Sequence, residues 1–305
     1  MQMAKQLIHC KFREASGDLL MDFLINLNKR NKENLSSLSK CNGVFKDKRV
    51  VEYILLITRE MRLDPLVGYH AIELFQRFMV KHLMNLFNAH TSAGVQPRRH
   101  KDARTFFDKI KEKFPILIFS CVQLASKLSL YSQMINNKTA VQFLHSVGIS
   151  VSTQSLFNSE MMILKALEFR LHVPNPLTYM EILLEVLGHN EPSIHVERLY
   201  DMGHHVLQFV SLQRTPIYET LLKTISQCLN PTREQREKFA TVTDDNMLLG
   251  VTVIAVATFI LYVKKWEQVV GELSHITGIS KRSISDFTHV IVMQINGSSS
   301  HVTSA

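Results

Sequence analysis

Residues 116–130 read Ile-Leu-Ile-Phe-Ser-Cys-Val-Gln-Leu-Ala-Ser-Lys-Leu-Ser-Leu and carry a single charge, at Lys127. The stretch is too long for a strand and has no glycine or proline after Pro115, so it is predicted to form a helix. A helix that is apolar on nearly every face belongs in the centre of a bundle. With Pro115 in its first turn, where the missing N–H costs nothing, we expect the central helix of a domain.

A second uncharged stretch, residues 246–263, lies between Asp244–Asp245 and Lys264–Lys265. Its length is at the short end of what crosses a bilayer. It matches the first stretch in character, and nothing else in the chain suggests membrane anchoring. We therefore expect a second buried central helix and no membrane association, with a membrane-inserted segment as the alternative.

The composition favours a helical protein of two domains. The chain has 305 residues, enough for two domains of about 150 residues. Only 11 glycines and 8 prolines are present, so long unbroken helices are expected. The net charge of +8 suggests an acidic partner, either nucleic acid or a complementary protein surface. The four cysteines form no Cys-x-x-Cys pair, which predicts a reducing compartment, and the N-terminus has no apolar run typical of a signal peptide.

Apolar residues at helical spacing predict the remaining helices. These cover residues 18–27, 47–61, 68–82, 139–147, 153–167, 177–187, 196–212, 216–228, 265–276 and 280–294. Two polar segments interrupt the pattern: residues 88–105, predicted to be a basic loop, and residues 230–243. Pro174-Asn175-Pro176 predicts a stiff linker and marks the clearest domain boundary.

The predicted architecture is all-α. An N-terminal helix and lead-in occupy residues 1–43, followed by one helical domain at 44–173 and a second at 174–295. The tail, residues 296–305, is predicted to be disordered because it is rich in serine and poor in apolar residues. Each domain is expected to be a five-helix bundle around its apolar central helix. The N-terminal helix is expected to pack onto the first of them.

Three motifs in the first domain resemble those of the cyclin family. Residues 124–127, Leu-Ala-Ser-Lys, are similar to the end of the central helix of the cyclin box. Residues 71–78, Ala-Ile-Glu-Leu-Phe-Gln-Arg-Phe, and 160–169, Glu-Met-Met-Ile-Leu-Lys-Ala-Leu-Glu-Phe, resemble two further family motifs in the same order. The resemblance covers roughly residues 47–172. It implies two cyclin-like bundles in tandem, the second degenerate because it matches in architecture alone.

Shorter matches run through both halves, at residues 78–81, 120–129, 183–188, 216–219 and 266–271, and resemble a meiotic branch of the family. That resemblance implies a nuclear, chromosome-associated adaptor that promotes crossover maturation in meiotic recombination through partners in the crossover machinery. The sequence has no glycine-rich phosphate loop and no Gly-x-Ser-x-Gly motif, so we expect no enzymatic activity.

The resemblance also implies two contact residues for a cyclin-dependent kinase. Lys127 and Glu160 match the lysine and glutamate with which cyclins hydrogen-bond the kinase backbone. Independently of the family, Leu156, Glu160 and Leu164 at steps of four place a carboxylate on an apolar stripe, where it needs a partner. The alternative is that Glu160 pairs with Lys127 inside the protein, and both interpretations can hold together.

The sequence departs from the family pattern at two places. Leu128-Ser129-Leu130 stand where typical kinase-binding cyclins have an aromatic residue and two glutamates. In the segment that matches the substrate-docking patch, Lys46-Asp47 replace Met-Arg, Val50 replaces leucine and Tyr53 replaces tryptophan. We therefore expect weak or absent kinase binding and poor docking of Arg-x-Leu substrates.

A basic run of Arg98, Arg99, Lys101 and Arg104 lies in the predicted loop. It is expected to be solvated, with a nuclear signal or a nucleic-acid contact as the alternative. Together with the charge of +8, it leaves open a second function, a nucleic-acid-binding double cyclin fold of the transcription factor IIB type. The 14 histidines lack ligand spacing with cysteines or carboxylates, so neither a metal nor a cofactor is expected.

Overall fold

The computed structural model describes residues 12–36, 45–92, 100–129, 134–172 and 174–300. These residues form thirteen α-helices and no strand, which confirms the all-α prediction. The helices are α1 (Gly17–Ser36), α2 (Lys48–Glu60), α3 (Pro65–Ser92), α4 (His100–Leu128), α5 (Asn137–Ser146), α6 (Thr153–Ala166), α7 (Pro176–Asn190), α8 (Val196–Leu212), α9 (Arg214–Ser226), α10 (Arg233–Thr243), α11 (Asn246–Leu261), α12 (Trp266–Thr277) and α13 (Lys281–Ser300). A short 3-10 turn, Val263–Lys265, precedes α12.

The described residues form two compact units. We call residues 45–172, with α2 to α6, the first bundle, and residues 12–36 together with 174–300 the second bundle. In the first bundle α4 packs against α2, α3 and α6, and its residues 117–126 are all buried. This segment has no charge on any face of the helix, and its burial is what that composition predicts.

The prediction of a loop over residues 88–105 is wrong at both ends, where the structure has helix. α3 continues to Ser92 and α4 begins at His100, while residues 93–99 lie outside the described part of the chain. Residues 100–114 contain no glycine or proline and are rich in good helix formers, so local propensity outweighs their polarity. As a result Pro115 lies inside α4 rather than in its first turn, at a position where proline removes a backbone hydrogen bond.

In the second bundle α11 is the central helix, as its composition predicts. It packs against α7, α8, α12 and α13, and twelve of its sixteen residues are buried. Among the described residues no single helix is long and apolar enough to cross a bilayer. α10 and α11 meet that test together, but they are separated by a bend of 72°.

The N-terminal helix α1 packs onto α7 and α11 of the second bundle, so its predicted position on the first domain is wrong. Leu20, Leu24 and Leu27 are buried in this contact. The Tyr179 hydroxyl donates to the carbonyl oxygen of Leu27 at 3.2 Å, and the Asn31 side-chain amide donates to Asp245 at 2.8 Å. Helical periodicity shows which face of α1 is apolar but not which neighbour covers it.

The second bundle contains more helices than the five predicted. α10 occupies the predicted polar break at residues 230–243 and buries only Phe239. Its beginning was visible in the sequence, because Thr232 and Gln235 form a capping box, with each side chain bonded to the other's backbone N–H. α13 also continues to Ser300, so residues 296–300 are helical rather than disordered.

Candidate partner-binding site

The end of α4 and the middle of α6 bring the two predicted contact residues together. Lys127 lies in the last turn of α4, where a cation complements the helix dipole. Glu160 lies in the middle of α6, which begins at Ser152, whose side-chain oxygen accepts the N–H of Ser155. The Nζ atom of Lys127 donates to Oε1 of Glu160 at 2.5 Å. The internal pairing that the sequence suggested is therefore confirmed.

Burial differs between the two partners. The Glu160 side chain is 8% exposed, whereas that of Lys127 is 31% exposed. A carboxylate at that depth needs its cation. The lysine side chain instead reaches the surface in part, which is the usual behaviour of a long charged side chain.

A polar network inside the first bundle fixes the position of α4. The Ser120 hydroxyl donates to that of Ser159 on α6 at 2.9 Å. The Gln123 amide donates to the carbonyl oxygen of Ile135 at 3.2 Å and to the Asn137 side chain at 2.7 Å. Ser126 Oγ accepts the N–H of Ile135 at 3.1 Å. Because these groups are buried, their bonds favour one register of α4 against its neighbours.

Three exposed apolar residues flank the Lys127–Glu160 pair in sequence. Leu128 follows Lys127 and is 44% exposed, while Phe157 lies one turn before Glu160 on α6 and is 49% exposed. Phe169, just after α6, is 63% exposed. Sequence reasoning missed these residues as site candidates. For two of them the signal available was position, since Leu128 follows the Leu-Ala-Ser-Lys motif and Phe169 ends the motif at residues 160–169.

The turn that carries Phe169 is held in an unusual conformation. Glu168 and Phe169 both have positive φ values, 52° and 58°, which cost non-glycine residues of order 1 kcal/mol or more each. Three side chains of α3 hold this segment. Lys81 pairs with Glu168 at 2.9 Å, Arg77 donates to the carbonyl oxygen of Arg170 at 2.8 Å, and His70 Nε2 lies 2.9 Å from the carbonyl oxygen of Leu171.

The electrostatics of the turn follow from these contacts. The hydrogen bond from Lys81 and its charge lower the pKa of Glu168. Burial lowers the pKa of His70, which favours its neutral form. A neutral ring can donate one N–H to the carbonyl oxygen of Leu171. The arrangement keeps a large aromatic side chain pointing outward on a fixed backbone.

The segment matching the cyclin substrate-docking patch is used differently in this chain. The Nζ atom of Lys46, at the position of the family's methionine, pairs with Glu73 Oε1 at 2.7 Å, and both side chains are 11% exposed. Burial raises the pKa of Tyr53, at the position of the family's tryptophan. The lysine is thus engaged inside the first bundle, in agreement with the sequence departure noted above.

The basic run is only partly covered by the structure. Arg98 and Arg99 lie outside the described residues, and Lys101 and Arg104 belong to the first turns of α4. The described residues contain no group of three or more histidine, cysteine or carboxylate side chains arranged to hold a metal. Within the same residues Cys121 and Cys228 are free thiols, and burial raises the pKa of Cys121.

Comparison with known proteins finds relatives that match nearly the whole chain. No family model matches it. It is 37% identical over 290 residues to cyclin N-terminal domain-containing protein 1 of Homo sapiens, covering 94% of this chain and 87% of the relative. The Mus musculus protein of the same name is 35% identical over 295 residues, with the same coverage of both chains. At this identity over nearly the whole length, the chain belongs to the family of cyclin N-terminal domain-containing protein 1.

Proposed function

We propose that the chain is a non-catalytic cyclin-like adaptor that acts in the nucleus, in meiotic recombination, where it promotes crossover maturation by binding protein partners. Family membership supports the cyclin-like character, and the sequence resemblance supports the meiotic role. The observation that carries the binding function is the buried Glu160 paired with a partly exposed Lys127, with exposed apolar side chains near them in sequence.

The two kinds of group serve different purposes in such a surface. Exposed aromatic and aliphatic side chains supply the apolar anchors from which most binding energy comes. The polar pair supplies orientation. An ammonium has three N–H donors, so Lys127 can hold Glu160 with one of them and donate another to a carbonyl oxygen of the partner.

We expect a cyclin-dependent kinase to bind this surface weakly or not at all. Affinity depends on a few central anchors rather than on buried area. Lys127 and Glu160 are retained, but Leu128-Ser129-Leu130 supply no acidic group where typical kinase-binding cyclins have two. A mainly scaffolding role, in which the surface meets a component of the crossover machinery, fits this combination better.

The test is a double charge reversal, Lys127→Glu with Glu160→Lys, in the full chain. It keeps the ion pair but exchanges the charges that a partner would meet. Partner proteins are quantified by mass spectrometry after purification from meiotic cells, and binding to purified cyclin-dependent kinases is measured by calorimetry. The adaptor surface predicts loss of specific partners with the double variant and kinase affinity in the micromolar range or weaker for the wild type.

A matched control is the reversal Arg233→Glu with Glu237→Arg on α10, an exposed pair in the second bundle joined at 3.0 Å. It should leave every partner bound. Retention of all partners by the Lys127/Glu160 variant would contradict this surface. Nanomolar kinase binding that the same variant abolishes, with an unchanged melting temperature, would instead establish a kinase-binding cyclin and contradict the mainly scaffolding role.

A further inference from the structure

The second bundle contains a buried carboxylate whose partners all come from the start of the chain. Glu185 of α7 is 9% exposed. Its two oxygens accept the backbone N–H of Arg13 at 2.8 and 2.7 Å, and Oε1 also lies 3.4 Å from the N–H of Ala15. In the described part of the chain these are its hydrogen-bond donors. A buried carboxylate without such donors would be strongly disfavoured, so the Glu185 carboxylate requires a segment with hydrogen-bond donors beside it.

The side chain of Arg13 fits the same place. Its Nη2 atom donates to the carbonyl oxygens of Pro192 at 3.1 Å and Ile194 at 2.7 Å. The guanidinium passes Gly188, where a Cβ atom would lie 3.4 Å from Arg13 Nε and 3.0 Å from a methyl of Val196. The tight contact is the one with Val196 at the start of α8, whereas the distance to the arginine is that of ordinary van der Waals contact.

Two further contacts hold the segment around Arg13 against the second bundle. The ring of Phe12 meets that of Tyr200 edge-on, with centroids 5.4 Å apart. His189 Nε2 lies 2.9 Å from the carbonyl oxygen of Ala15. We call residues 12–15 the latch. The recess that receives it is formed by Glu185, Gly188, His189, Pro192, Ile194 and Tyr200.

The latch is held differently from the helix that follows it. α1 buries Leu20, Leu24 and Leu27, whereas the latch is held largely by hydrogen bonds at partly exposed atoms. Arg13 also has a φ of 70°, in the left-handed region that is unfavourable for a residue other than glycine. The latch can therefore leave the recess while the apolar contacts of α1 stay in place.

We propose that the recess is a docking site for a short aromatic–arginine segment, that residues 12–15 occupy it within the chain, and that a protein partner presenting the same chemistry displaces them. Every recognised group belongs to the latch itself: a guanidinium, two backbone N–H groups and an aromatic ring. None of these contacts requires continuity with α1. Because the tethered latch competes at a high effective concentration, a partner binds more tightly once the latch is weakened.

The test uses the full chain and a fluorescent peptide, Lys-Phe-Arg-Glu-Ala-Ser, with the sequence of residues 11–16. Fluorescence anisotropy is measured with the wild type and with Arg13→Ala. The peptide should bind Arg13→Ala at least tenfold more tightly than the wild type. Adding Glu185→Gln to Arg13→Ala should weaken binding at least tenfold, as should exchanging phenylalanine and arginine in the peptide.

Equal affinity for the wild type and Arg13→Ala, no binding to Arg13→Ala, or indifference to Glu185→Gln would overturn the proposal, leaving the latch as a contact of the fold alone. Circular dichroism and melting temperature verify folding. If Arg13→Ala does not fold, Phe12→Ala weakens the latch through the aromatic contact, and the same tenfold gain over the wild type is required of it.

Discussion

The two central helices, α4 and α11, achieve burial in different ways. In α4, Ser120, Gln123 and Ser126 form hydrogen bonds to other parts of the first bundle. In α11, the hydroxyls of Thr252 and Thr258 donate to carbonyl oxygens of the same helix, four residues earlier. Side-chain bonds between elements specify a register, whereas bonds within one helix do not. α4, whose buried polar side chains are hydrogen-bonded to other elements, is the helix that ends at the candidate site.

The helices also differ in what they expose where they end. The last turn of α4 carries Lys127, paired to Glu160, beside the exposed Leu128, whereas α11 ends with Phe259, Ile260 and Leu261, which are 36–45% exposed. Positioning a lysine to within hydrogen-bond distance of a carboxylate on another helix requires a fixed register. The apolar core of α11 supplies stability without that constraint.

The largest effect is expected from a charge in the middle of α11. Ala255 is 0% exposed, so Ala255→Asp places a carboxylate in the core without a partner. The cost is several kcal/mol, enough to unfold the second bundle. Thermal unfolding followed by circular dichroism measures this. The control is Ile260→Asp on the same helix, at a position 45% exposed, which should melt close to the wild type. An unchanged melting temperature for Ala255→Asp would show that α11 is not a buried core helix.

The next-largest effect tests the difference between the hydrogen bonds that α4 makes to other segments and those that α11 makes within itself. Gln123→Leu removes two of the three hydrogen bonds described between α4 and residues 135–137, leaving that of Ser126, and should cost about 2 kcal/mol, because the Ile135 carbonyl loses a buried donor. Thr252→Val in α11 removes a bond within one helix and should cost less than about 1 kcal/mol. Urea denaturation gives both free energies of unfolding. Equal losses of unfolding free energy for the two variants would show that α4 and α11 do not differ in this way.

A pH-dependent loss of stability is expected in the second bundle, from α8, which packs against α11. Burial lowers the pKa of His204 to about 4, with a smaller contribution from the charge of His205. The unfolded chain therefore binds this proton first, so the stabilising effect is complete above about pH 6.5 and is lost as the pH falls towards 4. Between pH 6.5 and 5.5 the loss should be about 1 kcal/mol.

Urea denaturation at several pH values, for the wild type and His204→Phe, measures this contribution. His204→Phe should make the free energy of unfolding less steep in pH over that interval. An identical slope for the two proteins would show that folding does not lower the pKa of His204.

The smallest effect is expected from the basic run. Arg98→Ala with Arg99→Ala changes polar positions outside any apolar stripe, so the melting temperature should stay within about 1 °C of the wild type. Binding to duplex DNA should be weak and the same for both proteins. Tight binding by the wild type that falls steeply with salt and is lost in the variant would favour the function of the transcription factor IIB type instead.

The sequence by itself determined the helical class and both central helices. The two stretches have fifteen and eighteen residues with one charge or none, no proline and a single glycine, Gly250, so burial in a bundle is the favourable outcome. It also placed Glu160 on an apolar stripe, and a carboxylate there requires a cation. Lys127, at the end of the neighbouring motif, is the cation found.

Tertiary structure alone decided which surfaces meet. Periodicity identified the apolar face of α1, but only packing shows that α7 and α11 cover it. The latch was equally inaccessible to sequence reasoning, because Arg13 and Glu185 are 172 residues apart and no sequence pattern links them. The exposure of Phe169 likewise depends on the contacts of its turn with α3, over separations of 87 to 101 residues. Local patterns encode helices and their apolar faces, whereas pairing between distant residues is set by how the helices assemble.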